Sequence, residues 1–242
     1  APASRMAQAG GQGMDRELPP DRLLQPVTGR WLAVVFGGAV AYAVVRYHLA
    51  GDVPWRHFPL FILNKATALA SVVFVALSYL VGKIIRWYDD DNRLRLVVIK
   101  FCGLMGFSLA ASHAVLSLSI WTPAYFAKYF DDIGRLNLQG ELGMATGVTA
   151  LFFLSSPAIT TLPMMPKALG GQRWKRAQRM GYVSLILVSA HLFVLGLKGW
   201  LKPQGWYAWM PPISLVAFVV AVVPLVVKRG LVLEREKRGL KS

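Results

Sequence analysis

The sequence predicts an all-α polytopic membrane protein, a bundle of six transmembrane helices with both termini cytoplasmic. Three observations predict it. Six apolar runs are long enough to cross a bilayer, which takes about 20 residues at ~1.5 Å rise each. Only 16% of the 242 residues are charged, against roughly 25% in a soluble domain. The Lys and Arg residues also gather in the connections on alternate sides of the runs, the pattern that records orientation in a membrane.

Residues 1–30 are rich in Gly, Pro, Gln and Arg and have no apolar periodicity. They read as a flexible cytoplasmic tail and not as a cleavable signal. The first helix is expected over 31–50 and the second over 59–83, joined by GDVPWRHF. IIRWYDDDNRLR leads to a third helix over 97–121. The longest connection, from 122 to about 140, contains KYFDDIGRLN. The fourth helix is expected over 141–162, with Pro157 as a kink or early end. The loop PMMPKALGGQRWKR leads to the fifth, ending at Trp200. LKPQGWYAWMPP leads to the sixth, over 213–227, where two prolines suit a helix start. Residues 31–228 thus form one transmembrane domain, and 229–242 a charged cytoplasmic tail.

With the N-terminus inside, 20 of the 27 Lys and Arg residues fall on the inner side, six on the outer side, and Lys65 within the second helix. That bias accounts for a net charge of +15 without nucleic acid as a partner. All eight tryptophans fall near segment ends, where aromatic belts form. The single cysteine, Cys102, lies inside a run, so an internal disulfide is excluded and a packing role is expected. The expected location is a bacterial plasma membrane, with the lipid bilayer as the first partner.

Two of the four histidines carry the chemistry. His113 stands eight residues before Trp121, and His191 nine before Trp200. In this topology both lie in the outer half of the bilayer, at matched depth on parallel helices. An intramembrane histidine is costly unless it binds something. A facing pair can ligate a haem iron, since bundles build cofactor sites from facing side chains. A zinc or copper site would want further Cys, His or carboxylate ligands, and none lies at that depth. Hydrogen bonding of each ring to a neighbouring helix is the plain structural alternative. Gly103, Gly106 and Ser117 would leave room for a planar group beside His113. Lys198, two turns outward of His191, and Lys65 are candidates for haem propionate contacts. His48 and His57 are expected at the outer surface, with a minor role in receiving metal ions.

The order of these features resembles a family. An apolar helix with His113 is followed by SSPAITTLPMM, then WKRAQRMGYVSLILVSAH, LKGW and Pro211–Pro212. The pattern is similar to the ferric-reductase-like transmembrane domain superfamily over about 58–228, and within it most resembles the STEAP metalloreductases. MsrQ-type haem subunits are also similar. The resemblance implies a six-helix bundle holding one b-type haem between His113 and His191. Relatives with a second, inner haem use a further histidine pair, which this sequence lacks. In STEAP proteins that inner region holds the flavin of FAD. The resemblance carries this to Gln178, with Trp174, Arg176 and Arg179 nearby, where an inside-positive anchor explains the same basic residues.

The 242 residues contain no Gly-rich dinucleotide fingerprint. Electrons would therefore come from a partner reductase, a flavin or a quinol, and leave for ferric or cupric ion or a partner protein. The chain would be the oxidoreductase's membrane component. The alternative is a non-catalytic haem subunit of a larger respiratory or photosynthetic complex; the expected protein partners are such a complex or further copies of the chain in a homo-oligomer. A transporter is disfavoured by the lack of intramembrane carboxylates.

Overall fold

The second apolar run is the axis of the molecule. In the computed structural model, which describes residues 20–84, 92–237 and 239, 61% of its apolar window is buried inside the bundle, against 11–28% for the other five. Burial follows from composition: Ala66, Ala70, Ser71 and Ala76 are small enough for neighbouring backbones to approach closely.

Among the described residues the six long helices are α1 (Pro20–Val44), α2 (Leu63–Ile84), α3 (Asn92–Ile120), α4 (Leu138–Ile159), α5 (Met165–Trp200) and α6 (Ile213–Lys237). All six carry an apolar stretch of membrane-spanning length, and no strand occurs among the described residues. α2 packs on α1, α3 and α6, α4 packs on α5 and α3, and α5 packs on α6. Ser71 of α2 donates to the Gly106 carbonyl of α3 at 2.9 Å. Val75 and Ser71 occupy the space a Cβ on Gly106 would need. Gly106 therefore serves the α2–α3 contact and does not make room for a cofactor.

The ends of the helices differ from expectation in several places. α1 begins at Pro20, eleven residues before the predicted start, so part of the expected tail is helical; a proline at the first position forfeits only an N–H that has no partner there. Residues 1–19 of that tail lie outside the described residues, as do 85–91 of the loop after α2. α1 ends in a π-helical turn, Val45–Leu49, and a second, Phe58–Ile62, leads into α2.

The expected loop 163–176 is mostly helix. Residues 163 and 164 form a turn, and within α5 the non-helical backbone is confined to Gly170 (φ 71°, ψ 158°), a conformation only glycine adopts readily. α4 contains Pro157 and ends two residues beyond it, at Ile159. α6 contains Pro224 and runs to Lys237, so the charged tail begins as helix.

The connection between α3 and α4 folds over one end of the bundle. Trp121 stacks on Tyr129 at 5.4 Å between centroids, and Phe126 packs beside both. The Tyr129 hydroxyl donates to the Leu195 carbonyl at 2.8 Å, and Gln139 Nε2 to the Val194 carbonyl at 2.7 Å. At the same end Tyr42 of α1 donates to the Pro211 carbonyl at 2.6 Å. Cys102 is a buried free thiol, as its position in an apolar run indicated.

Candidate functional site

One cavity of about 430 Å³ opens among α2, α3, α4, α5 and α6, and both His113 and His191 line it. They come together because α3 and α5 run the same way and each histidine sits near its helix's C-terminal end. The walls are mainly apolar and small, with Ala68, Ala110, Gly147 and Ala217 among them. A cavity of this size suits a small-molecule or cofactor site.

Each imidazole is held from behind. His191 Nδ1 lies 2.7 Å from the carbonyl oxygen of Gly143 on α4. His113 Nδ1 lies 3.1 Å from the backbone oxygen of Asn64 and 2.6 Å from its side-chain oxygen. The Ser117 hydroxyl donates to the same side-chain oxygen at 3.0 Å. A carbonyl oxygen only accepts, so Nδ1 carries the proton in both rings. Nε2 of each then keeps its lone pair, the form in which histidine ligates a metal.

Gly143 and Gly147, one turn apart, give α4 a smooth face. Leu195 fills the space of a Gly143 side chain. A Cβ on Gly147 would lie 2.9 Å from His191 Nδ1. The His191 ring therefore rests on the α4 backbone. Ser184, also on the cavity wall, donates to the Ala150 carbonyl at 2.8 Å and fixes α5 to α4 further along.

Lys65 lines the cavity, with its ammonium 5.2 and 5.1 Å from the Phe61 and Phe126 ring centres. Lys198 is exposed and does not line it. Desolvation, and second the Lys198 charge, hold Lys128 below the ordinary lysine pKa. Burial pushes the Tyr129 hydroxyl above the ordinary tyrosine pKa, which keeps it a donor. Gly103 is not on the cavity wall.

His48 was expected at the surface and is instead buried. It stacks on Trp55 at 4.3 Å, with Nδ1 2.7 Å from the Val53 carbonyl, as part of the turn between α1 and α2. His57 is half-buried against Tyr125.

The four residues singled out for a flavin lie away from this cavity. Gln178 Nε2 donates to the Pro157 carbonyl at 3.2 Å and the Thr160 hydroxyl at 3.0 Å. Trp174 Nε1 donates to the Thr160 carbonyl at 2.9 Å. Both side chains thus close the end of α4, while Arg176 and Arg179 are exposed.

Sequence reasoning missed Asn64, Gly143, Gly147 and Arg46. Asn64 is a lone amide in an apolar run, and Gly143-x-x-x-Gly147 is a close-packing signature; either could have been noticed. Arg46 was counted only as an outer charge, but it is buried and lines the cavity.

The residues fit a haem. Two imidazoles, each with an Nε2 lone pair, line one apolar-walled cavity, and no group of three or more His, Cys, Asp and Glu that could hold a bare metal ion occurs among the described residues.

No family model matches the chain. The mouse protein Metalloreductase STEAP2 is 24% identical over 213 residues, which is 76% of this chain and 43% of that protein. The human Metalloreductase STEAP2 is 24% identical over 209 residues, with the same coverage. The chain therefore spans less than half the length of these relatives. This distant homology, on a chain whose described residues form six membrane-length helices and no strand, supports a STEAP-like, ferric-reductase-like transmembrane domain.

Proposed function

We propose that this chain is the haem-bearing membrane component of an oxidoreductase, with one b-type haem held between His113 and His191. The observation that carries the reading is the shared one: both rings line a single cavity with Nδ1 committed to a carbonyl oxygen, so both Nε2 atoms are left as ligands. Haem bound there would supply a one-electron iron couple, its potential tuned by ligands and burial. The work of the chain is to orient the two imidazoles, keep their tautomers fixed and exclude water with the apolar wall.

The Lys and Arg bias supports cytoplasmic termini, with the histidine end on the outer side. Electrons would come from a cytoplasmic flavin or partner reductase, at the end where Arg176 and Arg179 are exposed. The relatives are named metalloreductases. By that analogy, ferric or cupric ion is the substrate class at the outer end.

The test is a reduced-minus-oxidised visible spectrum of the detergent-purified chain, with pyridine haemochrome quantification. A low-spin b-type signal at about one haem per chain is expected, lost in His113→Ala and in His191→Ala. Full haem content in both variants, or none in wild type made under haem-replete conditions, would sink the reading.

A further inference from the structure

Three cationic side chains, Arg46, Lys65 and Lys128, line the cavity, and no Asp or Glu lines it among the described residues. Arg46 is only 4% exposed, and its Nε and Nη1 are buried with no hydrogen-bond partner. The rings of Tyr47 and Tyr207, 5.1 and 5.3 Å from the guanidinium carbon, give it cation–π contacts but no acceptor in hydrogen-bonding geometry. Trp121 also lines the cavity, and its Nε1 is a second buried donor without a partner. Buried N–H groups are nearly always satisfied, and a buried charge is normally paired. The group that would satisfy all of these is an anion rich in acceptors. The cavity that Arg46 and Trp121 line also holds the histidine pair, and Lys65 adjoins Asn64, which orients His113.

We propose that Arg46, Trp121 Nε1–H and the Lys65 ammonium form a carboxylate clamp that binds the propionates of the haem; this rests on the haem reading above. Arg46 is the main element, because its planar fork matches a carboxylate and it cannot shed its charge. Lys128, at the exposed end of the cavity, supplies a weaker, solvent-screened attraction.

Two porphyrins separate a clamp from a merely structural arginine: iron protoporphyrin IX and its dimethyl ester, which lacks the carboxylates. The full chain is stripped of haem in detergent, reloaded with each, and the rate of transfer to apomyoglobin is measured. Arg46→Met is expected to release iron protoporphyrin IX roughly ten- to hundredfold faster than wild type, the range for hydrogen bonds to charged groups. Arg46→Lys should fall between, and release of the ester should not change. Without porphyrin, Arg46→Met should melt no lower than wild type, because the residue lost is an unpartnered buried charge.

Equal acceleration for both porphyrins, no acceleration for either, or a lower melting temperature of the empty variant alone would overturn the clamp. If Arg46→Met does not accumulate, Trp121→Phe removes one donor and keeps the ring. It should accelerate release of the acid form only, and an unchanged rate would count against the clamp. Wild type that binds neither porphyrin removes the haem reading itself; wild type that binds both and releases them alike refutes the clamp alone.

Discussion

Asn64 presents two acceptors to one nitrogen of His113, its side-chain oxygen at 2.6 Å and its backbone oxygen at 3.1 Å from Nδ1. The contact joins α3 to α2, the most buried helix of the bundle. It fixes the tautomer and limits rotation of the ring. Ser117 holds the amide in turn through its bond to the same oxygen. The imidazole is thus positioned by an outer layer of hydrogen bonds, which in metal sites controls both affinity and ligand basicity.

Asn64→Leu removes the side-chain acceptor. Haem affinity is expected to fall about 10- to 100-fold, the usual effect of deleting such a partner. Asn64→Asp keeps an acceptor and adds negative charge behind the imidazole. It should lower the midpoint potential, because a more basic ligand favours the oxidised iron. A redox titration followed in the visible band reads both variants. An unchanged potential and full haem content in each would remove Asn64 from the site.

His191 is held by the α4 backbone, so its test is steric. Gly147→Ala places a methyl group 2.9 Å from the ring nitrogen, and either the ring turns or α4 moves away. Overpacking of this kind costs about 1–3 kcal/mol. The melting temperature should drop, and the low-spin signal in electron paramagnetic resonance should shift as the ring plane rotates. Gly37→Ala, with open space around its Cβ position and off the cavity wall, is the control and should change neither. A Gly147→Ala protein with wild-type spectra and stability would show that the close approach of His191 to α4 has no consequence.

Much of this was legible in the sequence. Six apolar runs were visible because membrane length and composition leave little choice of structure. His113 and His191 were visible because polar groups stand out in such runs. The helix ends were less legible. Gly170-Gly171 and the prolines marked a loop over 163–176, yet one residue at positive φ suffices to break the helix there. The holders of the histidines were not legible either. A backbone carbonyl such as that of Gly143 has no sequence signature, and the burial of Arg46 is a tertiary fact set by the turn after α1. Gly106 was misread for the same reason: its partner is the backbone of α2 and not a ligand.

Gln178 is the residue on which a structural role and a flavin role separate most clearly. Its amide donates to the Pro157 carbonyl and to the Thr160 hydroxyl, and its backbone carbonyl accepts from the Tyr79 hydroxyl at 3.1 Å. Gln178→Leu keeps the backbone contact and loses the two side-chain bonds. It should cost about 0.5–1.5 kcal/mol, the ordinary worth of a lost hydrogen bond, because the Pro157 carbonyl still accepts from the Thr161 hydroxyl at 2.7 Å. Thermal melting would read that loss. Haem content should stay at the wild-type level, since Gln178 is outside the histidine cavity. FAD affinity, followed by quenching of flavin fluorescence, is expected to be unchanged in Gln178→Leu and weakened in an Arg176→Gln, Arg179→Gln double variant, whose exposed charges are free to meet phosphates. A tenfold loss of FAD affinity in Gln178→Leu at unchanged stability would instead make Gln178 a flavin contact.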